Sequence, residues 1–173
     1  MKLQAKHTVY SCYLGYVTQA IVNNLPPLLF LTFNREFDIS LDKISLLITV
    51  NFCIQILVDF ISPEVIKRTG YRKAALCSFL VTIIGLTGFY YLPFIMDPYP
   101  GILICMIFNA IGGGILEVIV SPMVEACPGT NKAARMSMLH SFYCWGHMAV
   151  VLLSTLYFIR SYESAYLCRS RRR

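Results

Sequence analysis

Residues 108–126 read FNAIGGGILEVIVSPMVEA, and in the middle of them lies an acid, Glu117, within an apolar stretch from about Pro100 to Cys127. A stretch of that length can cross a hydrocarbon core about 30 Å thick, so it reads as a transmembrane helix. A charge at such depth is costly, and an acid found there faces a bundle interior or a watery cavity. At helical spacing Asn109, Gly113, Glu117 and Ser121 share one face, a stripe of small and polar side chains. Gly112, Gly113 and Gly114 let a neighbouring helix come close. Pro122 breaks the hydrogen-bond ladder about one turn beyond the acid and frees a carbonyl beside it. Two readings of Glu117 are open at this point. Either a neighbour's hydrogen bonds hold the acid and it ties the bundle together, or it is a carboxylate that couples a proton or a solute.

The rest of the chain has the same character. Of its 173 residues 57% are apolar and 14% charged, with a mean hydropathy of +0.62. Soluble domains are about one-quarter charged, so the expected class is an all-α polytopic membrane bundle in contact with a lipid bilayer. The net charge of +6 would suit nucleic acid. Its basic residues instead cluster in short turns between apolar runs, which fits anionic lipid and topology control, and no nucleic-acid partner is expected. The seven cysteines, at 12, 53, 77, 105, 127, 144 and 168, form no CxxC pair and mostly lie inside apolar runs. They read as small core residues and not as disulfides or a metal site. No Ser/His/Asp set, HExxH or metal-spaced cluster is present, so neither an enzyme nor a cofactor is expected. The N-terminal apolar run is too long for a signal peptide and carries Asn23-Asn24 and Pro26-Pro27, so it stays as a span.

Five transmembrane helices are predicted, over about 9–33, 44–66, 74–96, 100–127 and 137–159. They form a bundle over residues 1–160, followed by a basic polar tail over 161–173. In the first span the polar positions Gln19, Asn23 and Asn24 precede Pro26-Pro27, which predicts a kink or break at mid-depth. Such a break either lines a cavity or serves packing alone. Ser40 is placed to cap the second helix, on which Asn51, Gln55 and Asp59 follow one another every fourth residue. That stripe points to the bundle centre, toward a solute or toward other helices. Gly70 in the turn Lys67-Arg68-Thr69-Gly70-Tyr71-Arg72-Lys73 suits a positive φ. His140, Tyr143 and His147 occupy the first half of the fifth span, where a histidine serves proton chemistry or acts as a hydrogen-bonding strut.

Basic residues orient the spans. With the N-terminus in the cytoplasm, Lys2, Lys6, Lys67, Arg68, Arg72, Lys73, Lys132 and Arg135 fall inside, and only Arg35 and Lys43 outside. Five spans would leave Arg160, Arg169, Arg171, Arg172 and Arg173 on the wrong side. The expectation is that residues 161–173 are not the native continuation of the gene, and that the chain stops where a sixth span should begin.

Two places resemble one family. The turn Arg68-Thr69-Gly70-Tyr71-Arg72 is similar to the basic R-x-G-x-R/K loop of the major facilitator superfamily, in which it serves conformational change. Pro63 stands where that loop usually has glycine, and Lys67 where it usually has aspartate. Residues 112–122, GGGILEVIVSP, resemble the G-x-G-x-L-E-x-x-x-N-P pattern in the fourth helix of the fucose–proton symporter branch, with Ser121 for asparagine. Asn23-Asn24-Leu25-Pro26-Pro27 is similar to that branch's N-N-x-N-D, with Pro27 in place of the aspartate. Residues 137–146, SMLHSFYCWG, are similar to N-x-A-Q-x-F-x-x-x-G, with His140 for glutamine.

The resemblance spans about Tyr10 to Phe158 and implies an incomplete N-terminal six-helix half of a twelve-span transporter, in the plasma membrane of a bacterium. It implies proton-coupled uptake of a sugar or other small polar solute by alternating access. Glu117 would be the proton-coupling residue, and Asn23, Asn24, Gln55, Asn109 and His140 would bind substrate hydroxyls. Arg68, Gly70 and Arg72 would form the conformational loop. The implied partners are the solute, protons, lipid, and a missing C-terminal half or a second copy, without which the chain is not expected to transport. The alternative is a non-transporting membrane half-protein that pairs with another chain or serves an interaction role.

Overall fold

A computed structural model describes residues 5–128 and 131–170; Lys2, the Gly129-Thr130 corner and Arg171 to Arg173 lie outside the described residues. The described residues fold as five helices: α1 (Ala5–Phe37), α2 (Leu41–Thr69), α3 (Tyr71–Ile95), α4 (Pro98–Ala126) and α5 (Lys132–Ser170). α2, α3, α4 and the Lys132–Arg160 part of α5 are long and apolar enough to cross a membrane. α1, predicted as the first of five spans, falls outside that group by composition. Gln19, Asn23, Asn24 and two prolines lower its hydropathy. α5 continues through Ser170, so the stretch predicted as a tail from 161 keeps a helical backbone. No glycine or proline between 161 and 170 interrupts it.

The glycine run makes α4 the hub. Successive helical residues point about 100° apart, and each of these three glycines meets a different helix. A Cβ on Gly112 would lie 2.9 Å from the Thr82 backbone nitrogen of α3. One on Gly113 would lie 2.7 Å from Asn23 Oδ1 of α1, and one on Gly114 2.9 Å from Val58 Cγ1 of α2. On the α3 side the contact is backbone to backbone: a Cβ at Gly85 would lie 3.0 Å from the Asn109 nitrogen. Ser78 Oγ donates to the Gly112 carbonyl at 2.6 Å and locks this seam. The α4 span is accordingly 56% buried, against 11% for the α2 span and 11% for the α5 span, whose outer faces stay apolar. Those outer faces suit lipid.

Of the kink or break predicted at Pro26-Pro27, the break does not occur: α1 is one continuous helix through both prolines. Pro26 has no N–H, so the Val22 carbonyl four residues earlier loses its helical donor. Asn109 Nδ2 of α4 replaces that donor, reaching the Val22 oxygen at 3.0 Å. A buried acceptor left unpaired costs about 1–3 kcal/mol. Asn109→Leu is therefore expected to lower stability by about that amount in a denaturant titration of helicity, and to loosen α1 at the prolines. An unchanged midpoint would contradict this role.

Tight turns set the order of the helices. Gly70 joins α2 to α3 at φ 84°, a conformation open to glycine, and its N–H reaches the Ile66 carbonyl at 2.7 Å. Ser40 occupies the N-cap position of α2, although its side chain makes no capping bond. Two residues, Met96 and Asp97, separate α3 from α4. α2 and α4 each run antiparallel to α3 and so parallel to one another. α1 packs between α4 and α5.

Candidate functional site

Polar residues that would be unfavourable against lipid converge where α1, α2 and α4 meet. They line a cavity of about 440 Å³. α4 contributes Asn109 and Glu117, α1 contributes Asn23 and Asn24, and α2 contributes Asn51, Gln55 and Asp59. The fourfold spacing on α2 and α4 places these groups on inward stripes, and the glycines opposite let the three helices approach. Phe30, Phe52 and Tyr143 supply aromatic rings to the wall.

Glu117 is exposed to this cavity and is held from behind. Gln19 Nε2 donates to Glu117 Oε2 at 3.0 Å. Gln19 is 0% exposed, and its Oε1 has no hydrogen-bond partner. One turn further along, Tyr16 Oη and Ser121 Oγ lie 3.3 Å apart and tie the same two helices. Asn109 is 3% exposed; its Nδ2 is committed to Val22, while its Oδ1 is unpaired. Asn24 Nδ2 bonds back to the Ala20 carbonyl at 2.7 Å, which leaves its oxygen for the cavity. Asp59 has no hydrogen-bond or ion-pair partner among the described residues.

Five of the six residues predicted to couple a proton or bind substrate meet here: Asn23, Asn24, Gln55, Asn109 and Glu117. His140 does not. It is exposed, with its ring edge-on to Tyr16 at 5.8 Å. The rotation of α5 explains this. Leu139, Gly146 and Val150 are buried among the described side chains of α5, and a Cβ on Gly146 would lie 3.0 Å from the Val17 carbonyl of α1. That seam turns Tyr143 toward the cavity and both His140 and His147 away. Arg68, Gly70 and Arg72 sit apart from the cavity at the α2–α3 turn, where Arg68 Nη2 pairs with Glu64 Oε1 at 3.4 Å on the exposed face of α2.

Gln19, Asn51, Asp59 and Tyr143 are polar residues at the site that the predicted set omits. For three of them the signal was present. Asn51 and Asp59 flank Gln55 on one stripe of α2, and Gln19 precedes Asn23 by four residues on one face of α1. Tyr143 depends on the rotation of α5, which local spacing does not determine.

The family described as Major Facilitator Superfamily matches residues 12–167, nearly all of the helical chain. No curated protein and no solved structure matches it.

Proposed function

The chain belongs to the Major Facilitator Superfamily and is thereby an integral membrane protein of the secondary-transporter class; from this we propose that its cavity binds a small polar solute and that Glu117 carries the coupled proton. The observation that carries the proposal is an acid open to a cavity whose other walls bear unspent amide groups. Asn23, Asn24 and Gln55 offer donors and acceptors to a polar solute, with Asn51 beside them. A buried polar wall rejects the wrong solute because that solute leaves wall groups unpaired.

Gln19 suits both protonation states of Glu117. As placed, its Nε2 donates to the carboxylate. A half-turn of the amide would present Oε1, now unpaired, to the O–H of the acid form. Protonation from one side of the membrane would neutralise Glu117 and admit the solute, and proton loss toward the other side would drive release. The similarity of residues 112–122 to the fucose–proton symporter pattern supports sugars and protons as the first pair to test. The basic turn around Arg68 and Arg72 supports a cytoplasmic N-terminus.

Equilibrium binding to the full chain in lipid nanodiscs, against a panel of labelled monosaccharides, polyols and small amines, tests this reading. At least one solute is expected to bind saturably, and Gln55→Ala is expected to weaken it by about 5- to 10-fold, as for one lost hydrogen bond. Failure of every solute to bind would overturn the proposal.

A further inference from the structure

We infer that the solute is a small organic cation whose ammonium group sits on Asp59, opposite Glu117 in the cavity. The inference rests on the solute-binding reading and names its ligand class. Among the described residues the cavity wall carries two acids, Asp59 and Glu117, and no lysine, arginine or histidine. The two acids differ in what holds them. Glu117 has the Gln19 amide, while Asp59 has no hydrogen-bond or ion-pair partner among the described residues.

Their depth is similar. Asp59 lies ten residues before the end of α2 at Thr69, and Glu117 nine before the end of α4 at Ala126. The helices are parallel, so both acids stand about 14–15 Å from the same end of the bundle. An acid at that depth with no counter-charge is costly, and a cationic ligand supplies one.

The neutral groups point the same way, because the wall has spare acceptors. Asn109, almost wholly buried, lines the cavity with its Nδ2 committed to Val22 and its Oδ1 unpaired. Pro27 and Pro63 lack N–H groups, so the carbonyls of Asn23 and Asp59 lose their helical donors. An ammonium brings three donors and no acceptor, which suits such a wall. Phe52 and Tyr143 line the same cavity, and aromatic rings are groups that attract cations. An anionic solute would face two acids with no base to offset them.

Matched pairs that differ in one amino group test the inference on the full chain in nanodiscs: glucosamine against glucose, and putrescine against 1,4-butanediol. The amine of at least one pair is expected to bind about tenfold or more tighter than its neutral mate. Asp59→Asn should reduce that preference to within about twofold, while Asp59→Glu, which keeps the charge, should retain it. Equal binding of amine and neutral mate would overturn the cation assignment and leave solute binding intact. A preference that persists undiminished in Asp59→Asn would equally overturn the role given to Asp59. Binding by no member of either pair would overturn this inference, and the wider panel would then decide the solute-binding reading separately.

Discussion

Gly112→Leu is expected to lower the stability of the bundle by about 2–4 kcal/mol, the sum of an overpacked contact and a lost hydrogen bond. The new side chain would enter a space bounded by backbone. Its Cβ alone would stand 2.9 Å from the Thr82 nitrogen and 3.0 Å from the Ser78 oxygen. Neither atom can move without shifting α3. The displacement would also part Ser78 Oγ from the Gly112 carbonyl. Gly15→Ala is the matched control, because its Cβ would meet Val120 Cγ2 at an ordinary 3.8 Å. Its expected effect is within about 0.5 kcal/mol plus the usual gain from reduced chain entropy. Helicity followed through an SDS titration separates the two. Equal midpoints for both variants would show that α3 and α4 do not pack through this glycine.

Glu117→Gln is expected to abolish proton exchange on solute binding while leaving the fold in place. A glutamine side-chain carbonyl still accepts from Gln19 Nε2, so the α1–α4 hydrogen bond that Glu117 makes at 3.0 Å survives. The group that titrates does not. In weakly buffered nanodiscs the wild-type chain should exchange up to about one proton per solute bound, and Glu117→Gln about none. This contrast separates the two readings open from the sequence. If Glu117 only ties helices together, Glu117→Gln leaves both stability and any proton exchange as they were. A variant that binds solute and still exchanges a full proton would remove Glu117 from the coupling role.

Much of the bundle was legible from spacing. The apolar runs mark where the first four helices lie to within about four residues, whereas α5 runs eleven residues beyond the apolar run that predicts it. Gly70 took the predicted positive φ, since no other residue type in that turn adopts it as readily. The α2 stripe and the α4 stripe converged, because polar groups on apolar helices have one place to go. What remained illegible was pairing across helices. Pro26-Pro27 predicts a kink or break, and nothing local to α1 says that Asn109, 87 positions from Val22, would satisfy the freed Val22 carbonyl and keep the helix continuous. His140 shows the same limit. Its spacing on α5 is compatible with a cavity, but the Gly146 contact with Val17 turns it outward. Asp59 was visible as the third member of its stripe, and only the cavity shows it beside Glu117.

The central claim is that the α2 stripe and Glu117 face water inside an otherwise lipid-covered bundle. Thiol accessibility measures it directly. Gln55→Cys lies on the cavity wall, and Ile84→Cys lies on the exposed apolar face of α3, away from it. A membrane-impermeant thiol reagent reacts with the ionised thiol, which forms in water and not in lipid. With the wild-type chain as background for its native cysteines, Gln55→Cys is expected to be labelled about tenfold or more faster than Ile84→Cys, and to be protected by bound solute. Equal, slow labelling of the two positions would mean a dry site and would contradict the account.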